Sequence, residues 1–201
     1  MKIHSLMIHD PITIMEKTTI EDALTLMKQN SIRHLPVVTE SGNLKGLVTL
    51  SDIKQSLIPS MLGDISLSDI MVRKPIKVNP DADIETAALL IYKHKISGIP
   101  VVSNRKLVGI ITESDILRAF VHMMGILSNS SRIDVEISNE PGSLRNAVQI
   151  INEAGGDIIN VGMTEEKNKK RAYYFRLSAC RTSKIKKALE KQGYRVMDAM
   201  D

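Results

Sequence analysis

The stretch GLVTLSDI, from Gly46 to Ile53, returns as GIITESDI from Gly109 to Ile116. Each copy lies a fixed distance behind an apolar segment, LPVV at Leu35 to Val38 and IPVV at Ile99 to Val102. Working outward, a spacing of 64 residues aligns Pro11 with Pro75, Ile14 with Val78, Ile20 with Ile84, Ala23 with Ala87, Ile32 with Ile96 and Pro36 with Pro100. The spacing falls to 63 at Gly46 and Gly109, so the second copy loses one residue between Val102 and Leu107. A one-residue deletion in a turn is what a structural repeat tolerates.

Periodicity gives both copies one element order. A short strand, Ile12 to Ile14 or Ile76 to Val78, precedes a helix whose starting residue is Thr18 or Thr19 in one copy and Asp83 in the other. Ile20, Ala23, Leu24 and Met27 share a helical face, as do Ile84, Ala87, Ala88 and Ile91. Two strands follow, Leu35 to Val38 with Leu44 to Thr49, and Ile99 to Val102 with Leu107 to Thr112, each pair joined by turn residues. A second helix is expected from Ser51-Asp52 and from Ser114-Asp115.

The polar segment Ser128 to Arg132 reads as a linker, and the pattern changes after it. Ile133, Val135 and Ile137 alternate as a strand; Asn139 to Ser143 forms a turn; a helix from Leu144 ends at Gly155-Gly156. Strands at Ile158 to Met163 and Ala172 to Leu177, a helix over Thr182 to Gln192 and a strand at Tyr194 to Met197 complete a βαββαβ order, which resembles a ferredoxin-like sheet. The expected domains are 1–64, 65–127 and 131–201.

The chain has 201 residues, 43% of them hydrophobic, enough for real cores. It has no apolar run near the roughly 18 residues that span a membrane and no signal-peptide pattern at its start, so a cytoplasmic location is expected. The lone Cys180 reads as a small apolar residue. Net charge is +4 and only 3% of residues are aromatic, which argues against nucleic acid. The basic run at Lys167 to Arg171 reads as a solvated hairpin turn.

Thr49, Ser51 and Asp52, with Thr112, Ser114 and Asp115, form the doubled polar cluster. Thr-x-x-Asp approximates a capping box, and one such cluster is satisfied by capping alone. Two copies at strand-to-helix junctions point further. A helix start favours phosphate, and a fixed carboxylate can accept hydrogen bonds from both ribose hydroxyls. Walls of Ile, Leu, Val and Pro, Pro100 among them, suit a purine. The combination implies a nucleoside-phosphate site.

With G-h-h-[TS]-x-[ST]-D in both copies, residues 1 to 125 resemble a tandem pair of CBS domains, the Bateman module. That resemblance implies an adenosine-containing ligand, AMP, ADP or ATP first and S-adenosylmethionine or NAD second, in the cleft between repeats. It assigns ribose to Asp52 and Asp115, ribose and phosphate to Thr49, Ser51, Thr112 and Ser114, and the base to the first strands, Ile12 with Thr13 for one site and Ile76 with Lys77 for the other. Arg33 and His34 in the first copy stand where the second has Ser97 and Gly98. The two sites are therefore expected to differ, Arg33 and His34 supplying phosphate-neutralising charge to the Asp52 site.

Asn139-Glu140-Pro141-Gly142-Ser143-Leu144, followed by Gly155-Gly156-Asp157-Ile158, is similar to the D-x-P-G-x-L and G-x-x-I segments of ACT domains, with Asn139 in place of the usual Asp. In that family the turn, here Asn139, Gly142 and Leu144, can hold an amino acid at a subunit interface; pure dimerisation is the favoured role here. The whole arrangement, an α+β tandem CBS pair followed by a ferredoxin-like ACT domain, resembles the bacterial acetoin-utilisation AcuB type.

Five histidines show no metal spacing, and no Walker loop or GxSxG elbow appears, so neither a metal site nor catalytic residues are expected. The expected protein is a non-enzymatic adenine-nucleotide sensor whose ligand shifts a population of states, the bias passing through Ile116 to Leu127 to an unknown regulated protein. It is expected to be a homodimer; Met61, Met71, Met123 and Met124 fit its helix contacts, and ordinary core filling explains them as well. A ligand-free adaptor, with both aspartates as caps, is the rival.

Overall fold

The computed structural model describes residues 1–56, 65–167 and 169–201; Met61 and the middle of the basic hairpin lie outside them. The chain divides into two compact units, Met1–Leu117 and Arg118–Asp201.

The first unit holds a 3-10 turn at Ile3–Ser5, β1 (Ile8–His9), α1 (Ile20–Gln29), β2 (His34–Val38), β3 (Leu44–Thr49), α2 (Leu50–Ser56), α3 (Leu67–Ile70), α4 (Ile84–His94), β4 (Gly98–Ser103) and β5 (Lys106–Thr112). The helix α5 (Glu113–Met123) begins in it. Thr19 caps α1 by accepting a hydrogen bond from Asp22 N at 3.0 Å, and Ala23 and Met27 are buried on its inner face. Ser31 and Lys95 reverse the chain after α1 and α4 with positive φ, 53° and 56°, the left-handed conformation in which helices commonly end.

The expected first strands shrink to single bridges. Ile14 pairs with Val37 and Val78 with Val101, both parallel. Ile14 N donates to Pro36 O at 3.1 Å and Val38 N to Ile14 O at 2.9 Å; Val78 is held in the same way by Pro100 and Val102. Extending either ladder toward Ile12 or Ile76 needs an N–H from Pro36 or Pro100, and proline has none.

The segments preceding the repeats exchange partners. β1 pairs antiparallel with β5, Ile8 opposite Ile110. Val72, 64 residues after Ile8, pairs antiparallel with Leu47 of β3. Ile3 is fully buried, and its N donates to Ala82 O at 2.9 Å in the second repeat. Its counterpart Leu67, with Met71, lies in the first repeat's core among Ile14, Met27, Leu35, Val37 and Ile53. Of the two readings of Met71, core filling is the one found. Gly46 and Gly109 permit the exchange: a Cβ on Gly109 would lie 2.5 Å from Met7 Sδ and 2.9 Å from Ile8 O, and one on Gly46 3.0 Å from Met71 Sδ and from Val72 O.

Glu16 pins the inter-repeat segment. It receives Lys45 Nζ from β3, Ser68 Oγ at 3.0 Å and Arg73 Nη1 at 3.2 Å. The hydrogen bond from Lys45, then that from Ser68, pulls its pKa down to about 2.

The second unit carries β6 (Ser130–Ser138), α6 (Ser143–Glu153), β7 (Ile158–Met163), β8 (Lys170–Ser178), α7 (Thr182–Lys191) and β9 (Arg195–Met200), the expected βαββαβ order. Its antiparallel sheet runs β7-β8-β6-β9. Ile133, Val135, Ile137, Phe175 and Leu177 meet Ala147, Ile151, Ile185 and Leu189 in its core. Ser130 to Arg132 belong to β6 rather than to a linker. The Ser131 hydroxyl donates to Cys180 O and accepts from Cys180 N, both at 2.8 Å, which fastens that strand end.

Candidate functional site

Asp52 reaches its place because β3 runs directly into α2. Thr49 closes the strand and caps the helix: Thr49 N and Oγ1 each donate to Asp52 Oδ2 at 2.8 Å, and Asp52 N donates back to Thr49 Oγ1 at 3.2 Å. This is a complete capping box. It occupies Oδ2; Asp52 Oδ1 has no hydrogen bond among the described residues. Capping and ligand binding are therefore compatible, since the carboxylate is clamped by one oxygen while the other remains available to a ligand hydroxyl.

Thr49, Ser51 and Asp52 open onto a cavity of about 350 Å³. The opposite wall comes from the second repeat: Ile76, Ile96, Ser97 and Gly98, with Lys74 and Lys95 also lining it. One repeat thus supplies the hydroxyls and carboxylate, the other an apolar wall that includes the end of the Ile76 segment.

The structure reassigns several sequence expectations. Arg33 and His34 do not line this cavity. Arg33 borders an apolar groove with Leu24, Met27, Ile32 and Leu50, and its guanidinium lies 3.8 Å from Glu113. His34 is 8% exposed; its Nε2 is 2.8 Å from Ser97 Oγ. Its ring covers Gly98, where an added Cβ would lie 2.8 Å from Cδ2. Burial pushes the imidazole below its ordinary pKa, and the neighbouring Arg33 charge adds to this, so His34 is a neutral wedge between repeats rather than a phosphate cation. Ile12, Thr13 and Lys77 are exposed and lie outside the Asp52 cavity, and Pro100 is buried within β4.

At the other junction Thr112 N and Oγ1 donate to Asp115 Oδ2 at 3.0 and 2.6 Å, a second capping box. Asp115 is only 4% exposed, whereas Asp52 is half-buried, and Ser114 is exposed. The repeat register puts Asp10, Ser31, Arg33 and His34 where the Asp52 cavity has Lys74, Lys95, Ser97 and Gly98. In the second unit Gly142 takes φ +90° ahead of α6, Leu144 is 38% exposed, and Asn139 Nδ2 donates to Glu166 at 2.6 Å, so the Asn139 amide is spent on the hairpin. Among the described residues no group of three or more His, Cys, Asp or Glu could hold a metal ion, and no helix is long and apolar enough to cross a membrane.

Residues 3–58 and 67–122, more than half of the chain, match the CBS domain family. The chain belongs to the CBS domain family. Its pair is similar to the CBS domain pair of protein MJ0100 in complex with 5′-methylthioadenosine and S-adenosyl-L-methionine, at 33% identity and a TM-score of 0.57 over 60% of this chain and 99% of that one. It also resembles CBSX2 in complex with AMP, at 27% identity and TM-score 0.53, covering 60% and 96%. A Vibrio cholerae protein described as an acetoin utilization protein (AcuB) aligns at 32% identity and TM-score 0.59, covering 63% and 96%. Among curated relatives, an L-aspartate semialdehyde sulfurtransferase of Methanocaldococcus jannaschii is 36% identical over 55% of this chain, which spans only 21% of the enzyme's length. CBS pairs related to this one thus bind adenosine-containing molecules.

Proposed function

We propose that this CBS pair is a non-catalytic sensor that binds an adenosine-containing ligand, AMP, ADP or ATP first, in the cavity between Asp52 and Ser97. The carrying observation is that cavity: a clamped carboxylate with one uncommitted oxygen, two hydroxyls beside it and an apolar wall from the other repeat. In this reading Asp52 Oδ1 holds a ribose hydroxyl, Thr49 and Ser51 meet ribose and phosphate, and Ile76 and Ile96 face the base.

The domains are divided as 1–64, 65–127 and 131–201, the last an ACT-type ferredoxin-like unit that pairs in a cytoplasmic homodimer and carries the ligand signal to a regulated protein. Its βαββαβ order supports this, and α5, which begins in the nucleotide-binding unit and ends in the other, offers a covalent route for the signal. The likeness to the Vibrio cholerae protein supports a role near acetoin or central carbon metabolism.

Calorimetry on the full chain with AMP, ADP, ATP, S-adenosylmethionine and NAD tests the reading. Heat with at least one, lost in Asp52→Ala while the protein stays folded, supports it. No heat and no thermal shift with any of the five refutes it and leaves a ligand-free adaptor.

A further inference from the structure

We infer that Lys74 and Lys95 make the Asp52 cavity selective for a phosphate-bearing, anionic nucleoside over neutral or sulfonium relatives. The inference rests on the nucleotide reading of that cavity and adds the charge of the ligand's tail.

Both lysines line the cavity, and both are exposed. Neither ammonium has a carboxylate partner among the described residues. Several other cations of this unit are paired, Arg33 lying 3.8 Å from Glu113, Arg73 3.2 Å from Glu16 and Lys2 3.0 Å from Asp83; what sets Lys74 and Lys95 apart from the remaining lysines unpaired among the described residues, such as Lys77 and Lys93, is that they line the cavity. Lys95 Nζ instead sits 5.4 Å from the centre of the Tyr92 ring, itself 77% exposed, a contact that localises the charge without neutralising it. Among the described residues the cavity lining carries two lysines without a carboxylate partner and one carboxylate, Asp52, a positive balance.

The other repeat carries different residues at the corresponding positions. Asp10 and Ser31 take the places of Lys74 and Lys95 in the repeat register. Arg33, its candidate cation, is paired with Glu113, and His34 is kept neutral by burial. The unequal sites expected from Arg33 and His34 therefore arise from different residues. A repeat that keeps its carboxylate while replacing one lysine by an acid and the other by a serine in the register separates two jobs: the shared aspartate reads the nucleoside, and the lysines read what is attached to it. A dianionic phosphate gains from both ammonium groups, adenosine and 5′-methylthioadenosine gain nothing, and a sulfonium is repelled.

Full-length protein is titrated calorimetrically with AMP, adenosine, 5′-methylthioadenosine and S-adenosylmethionine, before and after Lys74→Gln, Lys95→Gln and the double change. Lys93→Gln, off the cavity, controls for net charge. Each lysine change is expected to weaken AMP roughly fivefold, in line with a rim ion pair, and the double change about 25-fold. Adenosine and 5′-methylthioadenosine should stay within about twofold, and raising salt should erase the AMP preference. Equal weakening of AMP and adenosine, or AMP affinity untouched by the double change, overturns the charge assignment while leaving nucleotide binding in place. Failure of all four ligands to bind the unaltered protein removes the nucleotide reading and this inference with it.

Discussion

Gly98→Ala measures whether His34 is a wedge. The Gly98 position faces the imidazole so closely that a methyl group would lie 2.8, 2.9 and 3.2 Å from Cδ2, Nε2 and Cε1, against an ordinary contact of 3.4 Å or more. The ring must retreat by about 0.6 Å, and at 8% exposure it has little solvent to retreat into. Overpacking of this kind costs about 1–3 kcal/mol, and breaking the 2.8 Å bond to Ser97 adds about 1 kcal/mol. The expected loss is therefore about 2–4 kcal/mol, or on the order of 8–16 °C in the melting of the CBS unit. His34→Ala, costly alone through its lost packing, should relieve the clash, so that the double variant is about 1–2 kcal/mol more stable than the two single losses predict. Calorimetric melting and urea unfolding of the four proteins supply the cycle. An unchanged midpoint for Gly98→Ala, or strictly additive losses, refutes the wedge.

Gly109→Ala should destabilise by about 1–3 kcal/mol and more than Gly46→Ala, because Met7 Sδ would lie 2.5 Å away against 3.0 Å for Met71 Sδ, while the backbone oxygens Ile8 O and Val72 O are alike at 2.9 and 3.0 Å; no loss of melting temperature in either variant would contradict the exchanged segments. Glu16, held down to about 2 by its hydrogen bonds from Lys45 and Ser68, stabilises the fold at pH values above its unfolded pKa, and that contribution disappears as pH falls from about 5 toward 2. Glu16→Gln should remove the Glu16 share of the acid sensitivity of the urea midpoint. His34, neutral by burial, gives a second acid loss in a higher window: its folded pKa lies below its unfolded value, so stability falls as pH drops through 6.5 and below. His34→Gln should flatten that step. Asp52→Ala and Asp115→Ala each dismantle a capping box and should each cost about 1 kcal/mol in unfolding experiments, whatever their unequal effects on ligand.

The repeat was legible because its register is carried by apolar and proline positions that periodicity reads directly. The capping boxes were legible too, since Thr-x-x-Asp is a local signal. Which face each side chain meets was not. A repeat register says that Ser97 and Arg33 are equivalent, yet it is silent on the packing that brings Ser97, not Arg33, to Asp52. His34 read as a surface cation because nothing local announces the glycine beneath its ring. The first strands were over-read because strand propensity at Ile12 and Ile76 ignores a partner that lacks an N–H. The segments at Ile3 to His9 and Leu67 to Val72 are too short for a periodic pattern; extending the 64-residue register upstream pairs Ile3 with Leu67, Met7 with Met71 and Ile8 with Val72, and was the available signal. In the second unit, alternation and the Pro-Gly turn sufficed for the βαββαβ order, while the bond from Asn139 to Glu166 joins residues distant in sequence and left no trace there.

The exchange of Ile8 and Val72 between repeats also sets an order of assembly. Residues Ile3 to His9 are synthesised before either repeat but find their partners in the later one, and the first repeat cannot bury Leu67 and Met71 until translation has passed Val72. Neither half can finish alone on the ribosome, so the pair should acquire protease resistance in one late step rather than in two.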